Sequence, residues 1–316
     1  MKKTVVGSFP KQPLPVPDAI RYLADLQIRH GINPVSDGEQ RNDMIGYFDQ
    51  IPGLGWSSLR LCVLDEIHPM EHTDAFYKIE DYLFLRRYLD GIGSGDVGIK
   101  TAITGPVTLG FTCAAHGVKH YQGVCDINLY SDLSKALKPI IERLLDLGAH
   151  VQIDEPGLSA GYMNPKVAVS IINEVLSGIR ESSLERLSVH VCGDLSKVRG
   201  LLDSFLDLRP KILSLAFSGR DERRNAQLLS RAHLETSQKK VGVGCVATST
   251  DEVGEVEGVE EIINRLVDLE EKFGLENIAY FHPDCGFKNL SIEVASKILE
   301  NMVAAVDILA SRLSSL

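Results

Sequence analysis

The chain lacks the long apolar runs that are typical of membrane proteins and the clustered basic residues that are typical of nucleic-acid-binding proteins. No stretch approaches the roughly 18 apolar residues of a membrane helix, and residues 1–15 lack the apolar run and cleavage site of a signal peptide. Acidic residues outnumber basic ones, 43 against 33, for a net charge of −10. A nucleic-acid-binding face needs clustered positive charge. We therefore expect a cytoplasmic protein without membrane or nucleic-acid partners, acting on small molecules or on another protein.

Cysteine is also sparse, with six residues in a chain of 316. In a reducing compartment so few thiols do not indicate a disulfide framework, and most are expected to be small core residues. The chain contains no Gly/Ser-rich linker, internal repeat or low-complexity tract, and 44% hydrophobic residues are enough to bury a large core. We therefore predict one domain over residues 1–316, a length that a single α/β barrel reaches.

Eight short β-like segments alternate with amphipathic helical stretches. This alternation is typical of a parallel sheet, and eight strands close a (β/α)8 TIM barrel. An open, doubly wound sheet is the alternative. The long interval near residues 40–96 is predicted to be an inserted helical segment or a lid over the barrel mouth. The predicted strands are 4–8, 34–39, 97–106, 150–156, 187–193, 212–217, 241–247 and 278–286.

Polar side chains concentrate where the predicted strands end, and in a barrel the chemistry lies at these ends. They are Ser8, Asp37, Glu39, Thr104, Asp154, Glu155, His190, Cys192 and Cys285. His190 and Cys192 are two positions apart on one strand, so their side chains point to the same face. In a closed barrel the distant Cys285 can converge on them. Histidine with two cysteines suits zinc, and three ligands at strand ends match a catalytic zinc with an open position better than a structural Cys-x2-Cys site.

Each of these signals has a simpler interpretation when it is taken alone. His190 and Cys192 can be core residues of an apolar strand. Glu155 can cap the helix that follows it, and Cys285 can be a small buried residue in a turn. Cys245, on the seventh predicted strand, is expected to be a packing residue. The coincidence of the three signals, H-x-C (190–192), DEP (154–156) and PDCG (283–286), at the ends of predicted strands is what favours the metal site.

Six motifs resemble, in order and in approximate spacing, those of the catalytic half of cobalamin-independent methionine synthase. The motifs are VGSFP (6–10), SDGEQRNDMIGYF (36–48), TGPVTL (104–109), QIDEPGLSAG (152–161), HVCGD (190–194) and HPDCGF (282–287). The resemblance extends over nearly the whole chain. It implies a zinc-dependent methyltransferase that forms methionine by methyl transfer to the thiol of homocysteine.

The resemblance also implies a role for each candidate site residue. The zinc ligands that it implies are His190, Cys192 and Cys285. Glu39 and Asp154 would belong to the catalytic site, where their carboxylates would hold the substrate amine. The backbone near Ser8 would bind the substrate carboxylate. These roles agree with electrostatics, because an ammonium group taken out of water needs negative charge nearby.

Two departures from the family pattern concern the methyl donor. The chain begins directly at the catalytic motif and in this resembles the shorter core type, whereas full-length members carry a second barrel that helps to hold the folate. In the family a tryptophan lies beside the folate, and Phe111 stands near its position in this chain. The segment GCVATST (244–250) replaces an Asp-x-His motif whose histidine assists the folate leaving group. A folate nitrogen needs a proton on leaving, and cobalt does not. We therefore expect the donor to be a methylated corrinoid (methylcobalamin type) on a protein partner.

A third departure concerns the metal, because Ala216 stands where the family has a glutamate ligand. The fourth ligand would then be water, the substrate, or a carboxylate that the sequence does not identify; Asp194, Asp221 and Glu222 are only nearby in the sequence. Other functions also stay open. A thiol transferase that uses coenzyme M is one, although two substrate-binding carboxylates would repel a sulfonate. The others are a zinc- or thiol-binding barrel without turnover and a barrel without zinc.

Overall fold

A computed structural model describes residues 1–314 and contains one parallel sheet and one small hairpin. The strands are β1 Leu54–Ser57, β2 Arg60–Val63, β3 Lys100–Thr104, β4 His150–Asp154, β5 Leu187–Val191, β6 Ile212–Ala216, β7 Lys240–Val246 and β8 Ile278–Pro283. Strands β3 to β8 pair in chain order, all parallel, and β1 pairs with β2 in the antiparallel hairpin. Each of the six parallel strands lies at a segment that the sequence predicts to be a strand.

The first two predicted strands, 4–8 and 34–39, lie between β8 and β3 without forming regular ladders. Isolated bridges pair Lys3, just before the first segment, with Phe281 of β8, pair Ser8 with Gly38, and pair Val35 with residue 99, just before β3. Thr4 N donates to the Phe281 carbonyl, and Lys100 N donates to the Val35 carbonyl. The second segment leaves the extended conformation at Gly38, whose φ is 73°. The predicted (β/α)8 class is confirmed, but two of its eight strand positions are irregular.

Helices connect the strands and cover the outside of the sheet. They are α1 Val16–Arg29, α2 Tyr77–Gly91, α3 Pro106–His116, α4 Ile127–Asp146, α5 Pro156–Ser159, α6 Pro165–Val175, α7 Glu181–Leu184, α8 Leu201–Phe205, α9 Asn225–Leu228, α10 Arg231–Ser237, α11 Val259–Phe273 and α12 Ile292–Ser314, with short 3-10 turns between some of them. Asp126 and Asn164 cap the starts of α4 and α6 by accepting backbone N–H groups. Within residues 1–314 no helix is both long and apolar enough to cross a bilayer.

The strand register places polar side chains of neighbouring strands side by side inside the barrel. β3, β5 and β6 are buried at every position, because helices cover their outer face and side chains fill the interior. Asp154 on β4 pairs with His190 on β5, and His190 pairs with Ser214 on β6. Residues paired in this way point to the same face of the sheet, so these three side chains are neighbours.

The interval 40–96 contains the predicted helix as α2, together with the β1–β2 hairpin that the sequence did not reveal. Each hairpin strand has only four residues, too few for a clear alternating pattern. Val63 N donates to the Gly117 carbonyl. This contact ties the hairpin to the end of α3.

Candidate metal and substrate site

The three predicted metal ligands converge at the carboxyl ends of β5 and β8. His190 lies within β5, Cys192 follows that strand, and Cys285 follows β8. One potential ligand atom from each residue lies within 4.8 Å of the other two. A tetrahedral zinc ion holds its nitrogen and sulfur ligands about 3.5 to 4 Å apart. The cluster therefore needs only a small contraction to accept the ion.

A chain of hydrogen bonds assigns the proton on His190. Nδ1 of His282 lies 2.6 Å from the Pro283 carbonyl oxygen, which can only accept, so this nitrogen carries a proton. His282 is fully buried, and burial lowers its pKa well below the ordinary value, so the ring is neutral. Its Nε2 accepts from the Ser214 hydroxyl at 3.0 Å. The Ser214 oxygen in turn accepts from Nδ1 of His190 at 3.2 Å.

This chain of hydrogen bonds leaves a lone pair on Nε2 of His190. The atom is buried and has no hydrogen-bond partner among residues 1–314. A buried acceptor without a partner costs free energy, and the unprotonated imidazole nitrogen is the form that binds metal ions. The residues present therefore fit a zinc ion. Ser214 and His282, which set this tautomer, were missed in the sequence because each is a single polar residue in an apolar strand.

Cys192 and Cys285 shift each other's pKa in opposite directions. The neighbouring Cys192 lowers the pKa of Cys285 well below its ordinary value, while burial opposes this shift. Cys285 and burial together raise the pKa of Cys192. Cysteine sulfurs bind zinc as thiolates, so metal binding at this cluster would release a proton from the Cys192 side.

Ala216 offers no ligand, and no carboxylate joins the cluster in the part of the chain that the structure describes. Asp194 is held by Ser196, whose N–H and hydroxyl both donate to it, and it lies 3.7 Å from the Arg224 guanidinium. Asp221 lies 3.6 Å from the Lys197 ammonium. Asp194, Asp221 and Glu222, which are near the ligands in the sequence, are thus all outside the group of potential ligands.

Glu39 has a partner that the sequence did not predict. Its carboxylate lies 2.7 Å from the Lys78 ammonium, which is buried above the Tyr47 ring at 3.9 Å from the ring centroid. Asp37 lies 4.0 Å from the same ammonium. Glu39 has a φ of 54°, a strained value for a residue with a side chain, and its N–H donates to Asp37. Strain of this kind is concentrated at functional sites.

Asp154 lies at the end of β4 and forms no ion pair with any residue of the described range 1–314. Gln152 donates to its Oδ1 at 2.7 Å. Burial raises the pKa of Asp154 to about 6, and the nearby Glu39 carboxylate adds to the shift. Asp154 is therefore the carboxylate best placed to gain from a cationic substrate group.

Ser8 and Glu39 line one cavity of about 280 Å³, to which Lys11 and Lys288 also contribute. Ser8 lies close to the loop that carries Cys285, because a Cβ added at the adjacent Gly286 would stand 2.1 Å from the Ser8 hydroxyl. The cavity therefore offers both positive and negative charge next to the candidate metal ligands. Such a lining suits a zwitterion.

Glu155 caps a helix, but not the one that follows it. Its carboxylate accepts the N–H groups of Val107 and Thr108, at 3.0 and 2.8 Å, and the Thr108 hydroxyl at 2.6 Å. These groups lie at the start of α3. Gly105 permits the approach, since a Cβ there would lie 2.1 Å from the Glu155 oxygen. The TGPVTL and DEP motifs therefore form one structural unit.

We expect Glu155→Gln to lower the free energy of unfolding by about 1 to 3 kcal/mol, because an amide NH2 would face backbone donors that the carboxylate now satisfies. Urea titration followed by circular dichroism measures the change. Glu293→Gln is the matched control, since this acid is exposed in the first turn of α12. Equal stability of both variants would contradict the capping role.

Comparisons with known proteins identify the family. Residues 1–307 match the family model described as "Cobalamin-independent synthase, Catalytic domain". A methionine synthase of Methanothermobacter thermautotrophicus is 32% identical, over 96% of this chain and 99% of its own length. One of Methanocaldococcus jannaschii is 29% identical, over 98% of this chain. The structure of a B12-independent methionine synthase from Shewanella sp. W3-18-1, in complex with selenomethionine, superposes with a TM-score of 0.80 at 22% identity, covering 99% of each chain.

The fold similarity and the family match agree over the same residues. The match extends from before the Ser8 segment to beyond the Cys285 loop, so it includes every candidate site residue. The chain belongs to the cobalamin-independent methionine synthase family and is an enzyme of the methyltransferase class.

Proposed function

We propose that the chain is one catalytic domain that transfers a methyl group to the thiol of homocysteine and forms methionine, with zinc held by His190, Cys192 and Cys285. The observation that carries this proposal is the convergence of three ligand atoms within 4.8 Å, together with the free lone pair of His190. Zinc, when bound, favours the thiolate form of a coordinated thiol and so supplies a nucleophile at neutral pH. Three protein ligands leave the fourth position for water or substrate.

The carboxylates and the cavity support an amino-acid acceptor. Lys78 already neutralises part of the charge of Glu39 and Asp37, so Asp154 is the main anchor for the substrate ammonium, with Glu39 beside it. The backbone near Ser8 receives the substrate carboxylate. Holding the amino acid at both ends orients its thiol toward the methyl donor, and such positioning supplies a large share of the rate.

The donor that fits best is a methylated corrinoid carried by a protein partner. A folate donor would need an acid near the leaving nitrogen, and the motif that supplies it in the family is replaced here by residues 244–250. The titratable group of β7 near this end is Cys245, which is fully buried, and burial raises the pKa of its thiol. A cobalt leaving group needs no proton, so methyl transfer from a corrinoid does not require the acid that residues 244–250 lack.

The direct experiment measures methionine formed from homocysteine by the zinc-loaded protein. Methylcobalamin and methyltetrahydrofolate are compared as donors, and coenzyme M replaces homocysteine as acceptor in a third arm. Turnover with methylcobalamin and homocysteine alone is expected. Turnover with folate would overturn the corrinoid assignment. Methylation of coenzyme M in preference to homocysteine, or no methylation of any thiol, would overturn the proposed acceptor.

We expect Ser214→Ala to weaken zinc binding by about 10- to 100-fold, because the ligand His190 loses the acceptor that fixes its tautomer. Competition with a chromophoric chelator measures the dissociation constant without reference to activity. Ser188→Ala is the matched control, since Ser188 is also buried in the barrel, two residues before His190 on β5. Unchanged affinity in Ser214→Ala would rule out the tautomer role.

A further inference from the structure

A second cavity lies at the end of the barrel opposite to the candidate metal ligands. Its volume is about 390 Å³, within the roughly 300 to 1,000 Å³ range of small-molecule sites. It is lined by residues at the start of the parallel strands, including Lys100 of β3, His150 of β4, Lys240 of β7 and Ile278 of β8. The amino ends of barrel strands normally serve stability rather than chemistry. Charged residues that line a cavity at this end of the barrel are therefore unusual.

The cavity is strongly basic in a chain of net charge −10. Lys2, Lys100, Arg186 and Lys240 line it, and Glu185 is the acid among its lining residues. Within residues 1–314 none of these four cations forms an ion pair with a carboxylate. The Arg186 guanidinium donates to backbone carbonyls instead. Unpaired positive charge that surrounds a concave surface is the electrostatic pattern of an anion site.

Lys100 is the group that most clearly lacks a partner. It is 2% exposed, and its Nζ makes no hydrogen bond with any described residue. The ammonium lies 5.2 Å from the centroid of the Tyr280 ring. Burial lowers the pKa of Lys100 to about 7, and attraction to Asp154 offsets only part of this shift. A buried ammonium without a counter-ion is costly, and an anion in the cavity would remove that cost.

The cavity has an aromatic and apolar lining in addition to its positive charge. The Tyr280 ring forms part of this lining. The Tyr280 ring fits against β7 because residue 242 is glycine: a Cβ there would lie 2.4 Å from the ring. Ile212, Ile278 and Phe281 provide apolar surface in the same lining. The unsatisfied Lys100 ammonium beside apolar walls suits an organic anion better than a bare ion.

We propose that this cavity binds a small organic anion, whose carboxylate or phosphate group contacts Lys100 and whose apolar part lies against the side chains of β6 and β8. The ligand does not reach the candidate metal ligands, which lie at the opposite ends of the strands. Lys100 is attracted to Asp154 inside the barrel, but anion binding at this cavity does not require the proposed methyl transfer to be correct. Carboxylate and phosphate share the chemistry that recognises a buried ammonium, so the experiment separates them.

Isothermal titration calorimetry with benzoate, phenyl phosphate and uncharged benzamide tests the site. We expect at least one of the two anions to bind and benzamide not to bind. The anion that binds more tightly identifies the head group. In Lys100→Met the dissociation constant should rise about tenfold or more, because a charge-assisted hydrogen bond is lost. Lys211→Ala is the control, since Lys211 precedes β6 and pairs with Glu181 outside the cavity.

Lys240→Gln provides a second variant that does not depend on a buried substitution, because Lys240 is exposed at the rim. It should weaken anion binding several-fold while the protein keeps its fold by circular dichroism. Equal affinity of the wild type and both cavity variants would overturn the proposal. So would binding of benzamide as tight as that of the anions, or no binding of either anion at millimolar concentration.

Discussion

Replacement of Cys285 by alanine should remove both the bound zinc and the methyl transfer. The protein is expected to carry about one zinc ion per chain. In Cys285→Ala and in Cys192→Ala two protein ligands remain, which is too few to hold the ion through purification. Methionine formation should fall by about 1,000-fold or more, which corresponds to about 4 kcal/mol in the barrier. Metal analysis by mass spectrometry and a methionine assay measure the two losses.

Cys245→Ala separates the metal effect from a packing effect. Cys245 is as buried as any residue of the core, but it does not belong to the group of potential ligands. This variant should keep its zinc and its activity while losing about 1 kcal/mol of stability to a small cavity. Zinc retained by both Cys192→Ala and Cys285→Ala would show that the cluster is not the metal site. Zinc lost from Cys245→Ala would show that the prediction of a packing role is wrong.

Most of the fold could be predicted from the sequence because its signals are local. Apolar runs bounded by Gly and Pro mark the six parallel strands, since buried parallel strands read as continuous apolar segments. The first two segments carry similar runs, but Gly38 and Glu39 take positive φ values there, and no composition rule reveals that the ladder ends. The hairpin was missed because four-residue strands contain too little periodicity.

The sequence predicts the site residues whose spacing along a strand sets the direction of their side chains. It does not predict contacts between residues that are far apart in the chain. The alternation of a strand places His190 and Cys192 on one face, and barrel closure brings Cys285 to them. Lys78 lies 39 residues from Glu39 in the chain, and nothing near either residue predicts their ion pair. The Ser214 and His282 contacts are of the same kind, since they depend on the relative register of three strands.

The second large effect is expected at Asp154, whose replacement by asparagine keeps the shape and removes the charge. If Asp154 anchors the ammonium of homocysteine, the KM for homocysteine should rise by about 30- to 1,000-fold, since losing one partner of a desolvated ion pair costs about 2 to 4 kcal/mol. Zinc content should stay at the wild-type level. Steady-state kinetics with homocysteine varied measures the change, and Glu155→Gln, one residue away, should leave KM unaltered.

The pH dependence of kcat/KM for homocysteine is a second, independent test of the charge on Asp154. The pKa of Asp154 is raised to about 6, so below this pH the carboxyl group is neutral and cannot attract an ammonium. The wild-type kcat/KM for homocysteine should therefore fall about tenfold for each pH unit below 6. Asp154→Asn has no charge to lose, so the ratio of wild-type to variant kcat/KM should shrink toward one as the pH falls. A ratio that stays constant across pH 5 to 8 would mean that Asp154 acts on the substrate by shape and hydrogen bonding, and the ammonium would have to be held by Glu39 alone.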